Sequence, residues 1–527
     1  MIESSSRATN AAARAALGLA AHPRGLSALY FTELWERFSY YGMRALLVLF
    51  MVAPLSGGGL GFETADAGRI YGNYTMAVYM LAIPGGFIAD RLLGARRAVL
   101  IGGTAIALGH YALAVPTLTT FYLGLLLIAL GTGLFKPNIS ALVGALYSRD
   151  DTRRDAGFSI FYMGINIGAF IAPLVTGFLA QSTWFKDWLS GHGFDPAKSW
   201  HWGFAAAGVG MTVAMLIFAR SAKGLKDPGK VKGVAGLDGS PPQDPQLLEL
   251  RRGDDESGER RGDDVWRQGA LVIGGTLALL TLALVSDIEG WQALRWLYLA
   301  LPLAGIAYAS RLPGDDAKRL AAIGVLFIAA MIFWAIFEQS GSTLALFADQ
   351  LTRNEVGGVP FPSSWFQSVN PIFVIALAPL FAGLWIGMGS AQPSPQIKFA
   401  AGLVFLALSF LLMVPAAKLA VAGLVSPLWL VGVYFLQTVG ELLLSPVGLS
   451  TMTKLAPARM TGLVLGLWFL AAAFGNKLAG VLGGAFSGSD PAALSTSFLM
   501  QAGAVAVAAG LMFAVAPWVK RLSGGEH

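Results

Sequence analysis

Apolar runs of about twenty residues recur along the whole chain, and that recurrence constrains the fold before any motif is considered. They lie at about 28–52, 70–92, 97–115, 120–146, 157–180, 201–219, 268–286, 293–310, 319–346, 366–389, 398–416, 428–452, 461–486 and 495–518. A helix of about 20 apolar residues matches the ~30 Å hydrocarbon layer of a bilayer. The expected fold is therefore an all-α polytopic membrane protein of about fourteen transmembrane helices. Composition agrees: 55% of the 527 residues are hydrophobic and 13% charged, with a mean hydropathy of +0.61, against roughly 25% charged in soluble domains. The 65 glycines and 25 prolines suit close helix packing and broken helices. No cysteine is present, which excludes disulfides and thiolate metal sites.

The net charge of +6 belongs to short loops rather than to a nucleic-acid-binding surface. With the N-terminus inside, Arg91, Arg96, Arg97, Arg149, Arg153, Arg154, Arg311, Lys318, Arg319, Lys398, Lys454, Arg459, Lys520 and Arg521 are expected to be cytoplasmic, and far fewer cations to face outward. Both termini are then expected in the cytoplasm and the protein in the inner (plasma) membrane. Residues 1–26 lack the compact apolar core of a signal peptide and are expected to be a tail. The polar, Gly- and Pro-rich stretch 221–266 is expected to be a linker. It separates an N-terminal six-helix bundle (27–220) from an extra helix pair (267–312) and a C-terminal bundle (313–520), with 521–527 as a tail. Six plus six helices around a cytoplasmic linker is the plan of a major-facilitator transporter, whose halves meet at a midplane site.

The most informative helix is the first. Between Phe31 and Arg44 it carries Glu33, Glu36, Arg37, Tyr40, Tyr41 and Arg44, and at 100° per residue Glu33, Arg37, Tyr40 and Arg44 share one face. A charge near the bilayer centre costs about 2.5–3.5 kcal/mol on insertion scales, so this face is expected to meet partners or a watery cavity. Lys136, Glu338, Glu441 and Lys477 are the other intramembrane charges. Pro137 and Pro446 each follow a polar residue in mid-helix and free backbone carbonyls, as helices lining a cavity tolerate. Cations dominate the first half and carboxylates the second, a field that suits a zwitterion. Its carboxylate would face Arg37, Arg44 and Lys136, and its ammonium Glu441. Lys477, near the outer end of its helix, is expected to snorkel or to form a structural pair. The extra helix pair, apolar except for Asp287 and Glu289 in its turn, is expected to be structural and peripheral. His110, alone in its helix, is expected to be packed or interfacial. Between helices 2 and 3, Asp90, Arg91 and Gly94 form a candidate cytoplasmic gating loop in which Asp90 holds cations and Gly94 permits a tight turn. The corresponding stretch of the second half, Gly387 to Lys398, has no acidic residue.

Glu33-x-x-Glu36-Arg37-Phe-x-Tyr-Tyr, the run from Val78-Tyr79 through Gly85-Gly86 to Ala89-Asp90-Arg91, and Phe161-Tyr-Met-Gly-Ile-Asn166-Ile-Gly168 occur in order. Together they resemble the proton-dependent oligopeptide transporter (POT/PTR) family, prokaryotic type. The resemblance covers most of about 28–520 and implies proton-driven uptake of di- and tripeptides. It implies Arg37, Arg44 and Lys136 as ligands of the peptide carboxylate, and Asn166, Asn370 and Glu441 around the amino end. It further implies that Tyr41, Tyr79, Trp334, Ser445 and Trp468 line side-chain pockets. Proton coupling and gating would fall to Glu33, Glu36, Arg37 and Glu338. Protonation of Glu33 or Glu36 would weaken their pairing with Arg37, and Glu338 would pair with Arg44 in one gate state. The expected partners are small peptides, protons and the bilayer, with no nucleic acid, obligate protein partner, metal or cofactor besides the coupling proton.

Three other functions compete with this reading on the residues alone. A nitrate or drug carrier would leave Glu441 without a purpose in the nitrate case. A membrane-embedded hydrolase lacks a Ser/His/Asp set or a His-Glu-x-x-His motif. A nutrient sensor on a transporter scaffold is not distinguished by sequence, although the linker carries no evident signalling module.

Overall fold

The computed structural model describes residues 22–148, 151, 153–225, 258–297, 315–455 and 461–522, with a few isolated positions between 300 and 311. The expected tails at 1–26 and 521–527 and the linker at 221–266 fall largely outside these residues. Of the expected span at 293–310, only the first turn, Gln292–Trp296, and isolated residues are described.

Thirteen long helices occur among the described residues: α1 Arg24–Val52, α2 Thr64–Met80, α3 Ala95–Leu113, α4 Leu118–Gly144, α5 Arg154–Gln181, α6 Ser199–Ser221, α7 Gly258–Val285, α8 Asp315–Phe337, α9 Val369–Met388, α10 Pro395–Ala420, α11 Leu428–Leu455, α12 Thr461–Gly484 and α13 Pro491–Leu522. Nine helical stretches among the described residues are long and apolar enough to cross a membrane. α1 is not one of them, because its charged stripe lowers its apolarity. Helix α7 starts at Gly258, inside the stretch expected to be linker, because no proline interrupts 258–266.

Local chemistry sets the helix ends. Pro54 holds Ala53 extended (φ −57°, ψ 140°), which stops α1. Thr117 caps α4 by accepting the Thr120 amide at 3.2 Å. Gly94, at φ +78°, turns the chain into α3 after a π-helical turn at Ala89–Leu93. α2 continues through Ala82–Ile88 into that turn, and α8 is interrupted by a 3₁₀ turn at Glu338–Gly341 before resuming at Thr343–Gln350.

Within the first half, α1 packs on α5 and α6, and α3 on α4 and α6; in the second, α10 packs on α11 and α13, and α8 on α12 and α13. The halves meet most closely where α2 crosses α12, at the end of the bundle remote from the chain termini. Gly68 and Gly72 face Gly480 and Gly484 there, and a Cβ on Gly480 would lie 2.4 Å from Gly72 Cα. Only glycines allow that approach, the small-xxx-small device of membrane helices. The halves also join on the α5–α9 side, where Ser368 Oγ donates to the Phe170 carbonyl (2.7 Å) and Trp365 Nε1 to that of Leu174 (3.1 Å).

Candidate substrate and proton site

α1 brings its stripe to the seam between the halves, with Glu33, Glu36, Arg37, Tyr40 and Arg44 all buried. The repeat of 3.6 residues does this: positions 33, 37, 40 and 44 follow one line down the helix. Arg37 Nε meets Glu33 Oε1 at 3.0 Å and also the Glu36 carboxylate, so one guanidinium nitrogen serves two carboxylates. Arg37 Nη2, Glu33 Oε2 and Glu36 Oε1 are buried without a protein hydrogen-bond partner among the described residues. Beside this cluster, α4 presents Lys136. Pro137 removes the amide that would bond the Gly133 carbonyl, and Gly85 packs against that carbonyl, where a Cβ would stand 2.1 Å from the oxygen. The Lys136 ammonium stands 4.1 Å from the centre of the Tyr79 ring, and among the described residues no carboxylate lies within 4.0 Å of it. Tyr79 therefore cradles a cation here, beyond its expected part as a side-chain wall.

The second charged pair spans the halves. The break in α8 turns the buried Glu338 toward α1, where its Oε2 accepts from Arg44 Nη2 at 2.5 Å; the same nitrogen donates to Ser340 Oγ at 3.1 Å. Arg44 Nε donates to the Tyr71 hydroxyl at 2.9 Å. Gly341 keeps this space open, since a Cβ would sit 2.2 Å from the Tyr71 hydroxyl. The Glu338–Arg44 pair expected of one gate state is thus formed in the shape whose far end is closed.

Across the midline, Asn370 Nδ2 donates to Glu441 Oε2 and to Thr438 Oγ1, both at 3.0 Å. These two residues stand together as expected of one subsite. Asn166 Nδ2 donates to the Tyr162 carbonyl one turn back at 3.0 Å, and no bond to Asn370 or Glu441 is made among the described residues. Trp334 Nε1 is buried without a protein partner among the described residues, and Trp468 packs over Gly448. Tyr41 is half-buried with Arg44 5.9 Å from its ring centre. The Ser445 side chain lies outside the described residues.

Other expectations resolve differently. Asp90 and Arg91 are exposed, and no ion pair engages Asp90 among the described residues, so the expected cation clasp is absent in this shape. The second half puts a cation in the corresponding place: Lys398 Nζ stands 3.8 Å from the Trp385 ring centre and 2.9 Å from Gln392 Oε1. His110 is wholly buried, with neither ring nitrogen bonded to protein among the described residues, so it is packed rather than interfacial. Of the two readings open for Lys477, snorkelling and a structural pair, the second holds. Its ammonium is fully buried and bonds Asp287 Oδ2 and Asn73 Oδ1, each at 2.5 Å. Asp287 belongs to the extra helix pair, which therefore reaches into the seam instead of lying apart from it. Tyr71, Ser340, Gln367 and Tyr434 also belong to the site region and carry no charge that would single them out in the sequence. Gln367 donates to the Ser340 carbonyl and lies 3.3 Å from the Tyr434 hydroxyl.

Two helical bundles closing around opposed intramembrane charges define a secondary transporter of the major-facilitator type. The chain belongs to the POT family: the profile of that family (PTR2) matches residues 96–234 and 300–496. Peptide transporter YePEPT of Yersinia enterocolitica is 39% identical, over 95% of each chain. A di-/tripeptide transporter of Lactococcus lactis subsp. cremoris is 37% identical, over 85% of this chain and 86% of its own. Among solved structures, a mutant of peptide transporter POT in complex with alafosfalin superposes with a TM-score of 0.77 at 40% identity, covering 96% of both chains. The protein is a multi-span membrane transporter.

Proposed function

We propose that this protein is a proton-coupled symporter that imports di- and tripeptides by alternating access, with the proton as coupling ion and no cofactor or catalytic step. The observation that carries the reading is the charge balance of the α1–α4 cluster. Glu33 and Glu36 are matched by Arg37 and Lys136, two charges against two, while the pair Arg44–Glu338 is closed on itself. A peptide carboxylate entering at Arg37 and Lys136 brings one uncompensated negative charge into a buried site. At ~7 Å and an effective dielectric constant of ~20, repulsion from one carboxylate is about 2 kcal/mol. Protonation of Glu33 or Glu36 removes that repulsion, so peptide and proton each favour the other's binding, as linkage requires. Protonation also loosens the hold on Arg37, whose Nη2 is already without a protein partner.

The amino end of the peptide fits Glu441, which has no cation within 4.0 Å among the described residues and is held by Asn370. An ammonium there makes a charge-assisted contact. Asn166 contributes to the same end if its side chain turns away from Tyr162. Tyr41, Trp334 and Trp468 offer aromatic walls that accept varied side chains without fixed hydrogen bonds, and Ser445 is assigned to the same pocket. The excess of Lys and Arg on the side of the termini supports a cytoplasmic orientation for that side, in an inner (plasma) membrane. The tight α2–α12 seam is then the closed outer face, and Arg44–Glu338 is an outer-gate bond that breaks when the halves rock. Asp90, Arg91 and Gly94 are assigned to the inner gate, closing in the opposite state.

Uptake of labelled dialanine into proteoliposomes, with and without an imposed inward proton gradient, tests the reading. Accumulation driven by the gradient and inhibited by unlabelled di- and tripeptides is expected. Uptake indifferent to both gradient and peptide competitors would refute it.

A further inference from the structure

Lys477 is the point at which three separate parts of the chain meet. It projects from α12 of the second half; Asn73 comes from α2 of the first half; Asp287 comes from the turn after α7, in the extra helix pair. Besides the two 2.5 Å contacts to the ammonium, Asn73 Nδ2 donates to Asp287 Oδ2 at 2.7 Å. Arg295, 3.3 Å from Asp287 Oδ1, anchors the carboxylate from the other side and donates from Nε to the Ser286 carbonyl at 3.1 Å. The lysine side chain is 0% exposed and the aspartate 5%.

The first helix of the extra pair rides on the first half. α7 packs along α2 and its continuation Ala82–Ile88, where a Cβ on Gly269 would meet Phe87 at 3.1 Å. Asp287 and Asn73 are therefore two oxygen acceptors on one side of the seam for a single cation on the other. The cluster also adjoins the closest approach of the two halves: Asn73 follows Gly72, Lys477 lies three residues before Gly480, and a Cβ on Gly72 would meet the Lys477 carbonyl at 3.0 Å. The α2 and α12 backbones cannot separate there without pulling the ammonium away from both acceptors.

We propose that Asp287, with Asn73, makes the extra helix pair part of the outer gate. The pair supplies a buried carboxylate that latches Lys477 while the outer seam is closed and releases it when the seam opens. Asp287 is in this sense a positioning residue: it touches no substrate and acts through Lys477. The inference rests on the alternating-access reading but not on the identity of the substrate.

The cysteine-free chain allows a direct test. Spin labels at Glu63→Cys, ahead of α2, and Ser489→Cys, beyond α12, both at exposed positions, report the width of the outer seam by pulsed dipolar spectroscopy without substrate. Lys477→Met keeps most of the unbranched side chain, removes the ammonium and leaves Asp287 with Asn73 and Arg295, so no buried charge loses every partner. The expected result is a second, longer distance whose population rises roughly tenfold over the parent, the effect of losing about one charge-assisted contact. Asp287→Asn gives the same shift independently, and reports the latch if Lys477→Met fails to assemble. Folded, monodisperse variants with the parent's distance distribution would overturn the proposal and leave the cluster as a structural pin for the extra helices. Because the distances are read without substrate, that outcome is separate from any failure of dialanine uptake.

Discussion

Glu36→Gln tests the charge balance most sharply, because it preserves shape and removes one of the two carboxylates that Arg37 serves. In the parent, the peptide carboxylate meets a balanced cluster and its binding draws in a proton. In the variant the cluster starts with one net positive charge, so the carboxylate is compensated on arrival. The repulsion removed, about 2 kcal/mol at ~7 Å and an effective dielectric constant of ~20, corresponds to roughly 30-fold tighter dipeptide binding at neutral pH. The sign of the pH dependence follows from linkage. Parent affinity rises as pH falls, because binding takes up a proton, whereas the affinity of the variant stays flat across the same range. Equilibrium binding of a labelled dipeptide in detergent, from pH 5.5 to 8, reads both effects. In proteoliposomes the variant should exchange peptide between loaded compartments yet fail to concentrate it against a gradient, because exchange needs no net proton movement. Loss of exchange and binding together would show that Glu36 holds the fold or the site. Retained accumulation would show that it is not the coupling group, and would move the role to Glu33, Glu338 or Glu441.

Lys136→Ala should weaken binding of free dipeptides by about 1.5–3 kcal/mol, roughly 10- to 150-fold, while scarcely changing binding of peptides amidated at the carboxyl end. Equal losses for both substrates in a competition assay would place Lys136 outside the carboxylate subsite. Glu441→Gln should weaken free dipeptides and leave N-acetylated ones, poor ligands at the outset, nearly unchanged; parent-like affinity for free dipeptides would refute its role at the amino end. Gly480→Val sets side-chain atoms against Gly68 and Gly72, where even a Cβ lies 2.4 Å from Gly72 Cα. Overpacking of about 1–3 kcal/mol should lower the melting temperature and hold the outer seam open; an unchanged melt and seam distance would show that the helices can part without consequence.

The sequence carries most of the fold because lipid leaves the backbone little choice. An apolar run of the right length must be helix, and spans expected at 28–52 and 398–416 are observed as Arg24–Val52 and Pro395–Ala420. The charged half of the site is legible for the same reason: a charge in an apolar run needs a partner, so Glu33, Arg37, Arg44, Lys136, Glu338 and Glu441 stand out. The neutral half is not. Tyr71 and Tyr434 lie in runs where an aromatic residue is ordinary, and their bonding emerges only when α2 is placed beside α1 and α11 beside the turn ahead of α9. Asp287 is visible as a charge in a turn, but nothing local says that the turn folds back onto α12. The Gly68/Gly72 and Gly480/Gly484 pairs share a four-residue spacing that could have marked the seam, yet 65 glycines give that spacing many chance occurrences. Conformational state is the least legible feature of all. Asp90 stands exposed in the state described, and its sequence motif reads the same whichever gate is closed.

The buried atoms left without protein partners explain why the first helix keeps so costly a face. Folded proteins satisfy nearly all buried polar groups, because each orphan loses its hydration without return. Arg37 Nη2, Glu33 Oε2 and Glu36 Oε1, within two turns of one helix, have no protein partner among the described residues. Aliphatic residues there would pack the seam with less strain on stability, and replacing buried charge by well-packed apolar groups is often stabilising by 1–4 kcal/mol. Such a bundle would close and remain closed. A transporter needs two closures of similar free energy, so that a substrate and a proton, each contributing a few kcal/mol, decide between them. Under the proposed mechanism, over-providing carboxylates for one arginine serves this need: the cluster holds together with Lys136 nearby, and a proton and an anionic ligand arriving together would complete its bonding. The pair Arg44–Glu338, by contrast, is well bonded in the closed shape, with Tyr71 and Ser340 completing it. One helix thus carries an incompletely bonded cluster and, two turns away, a well-bonded pair, which in the proposed mechanism are the parts that respond to the ligands and answer by opening.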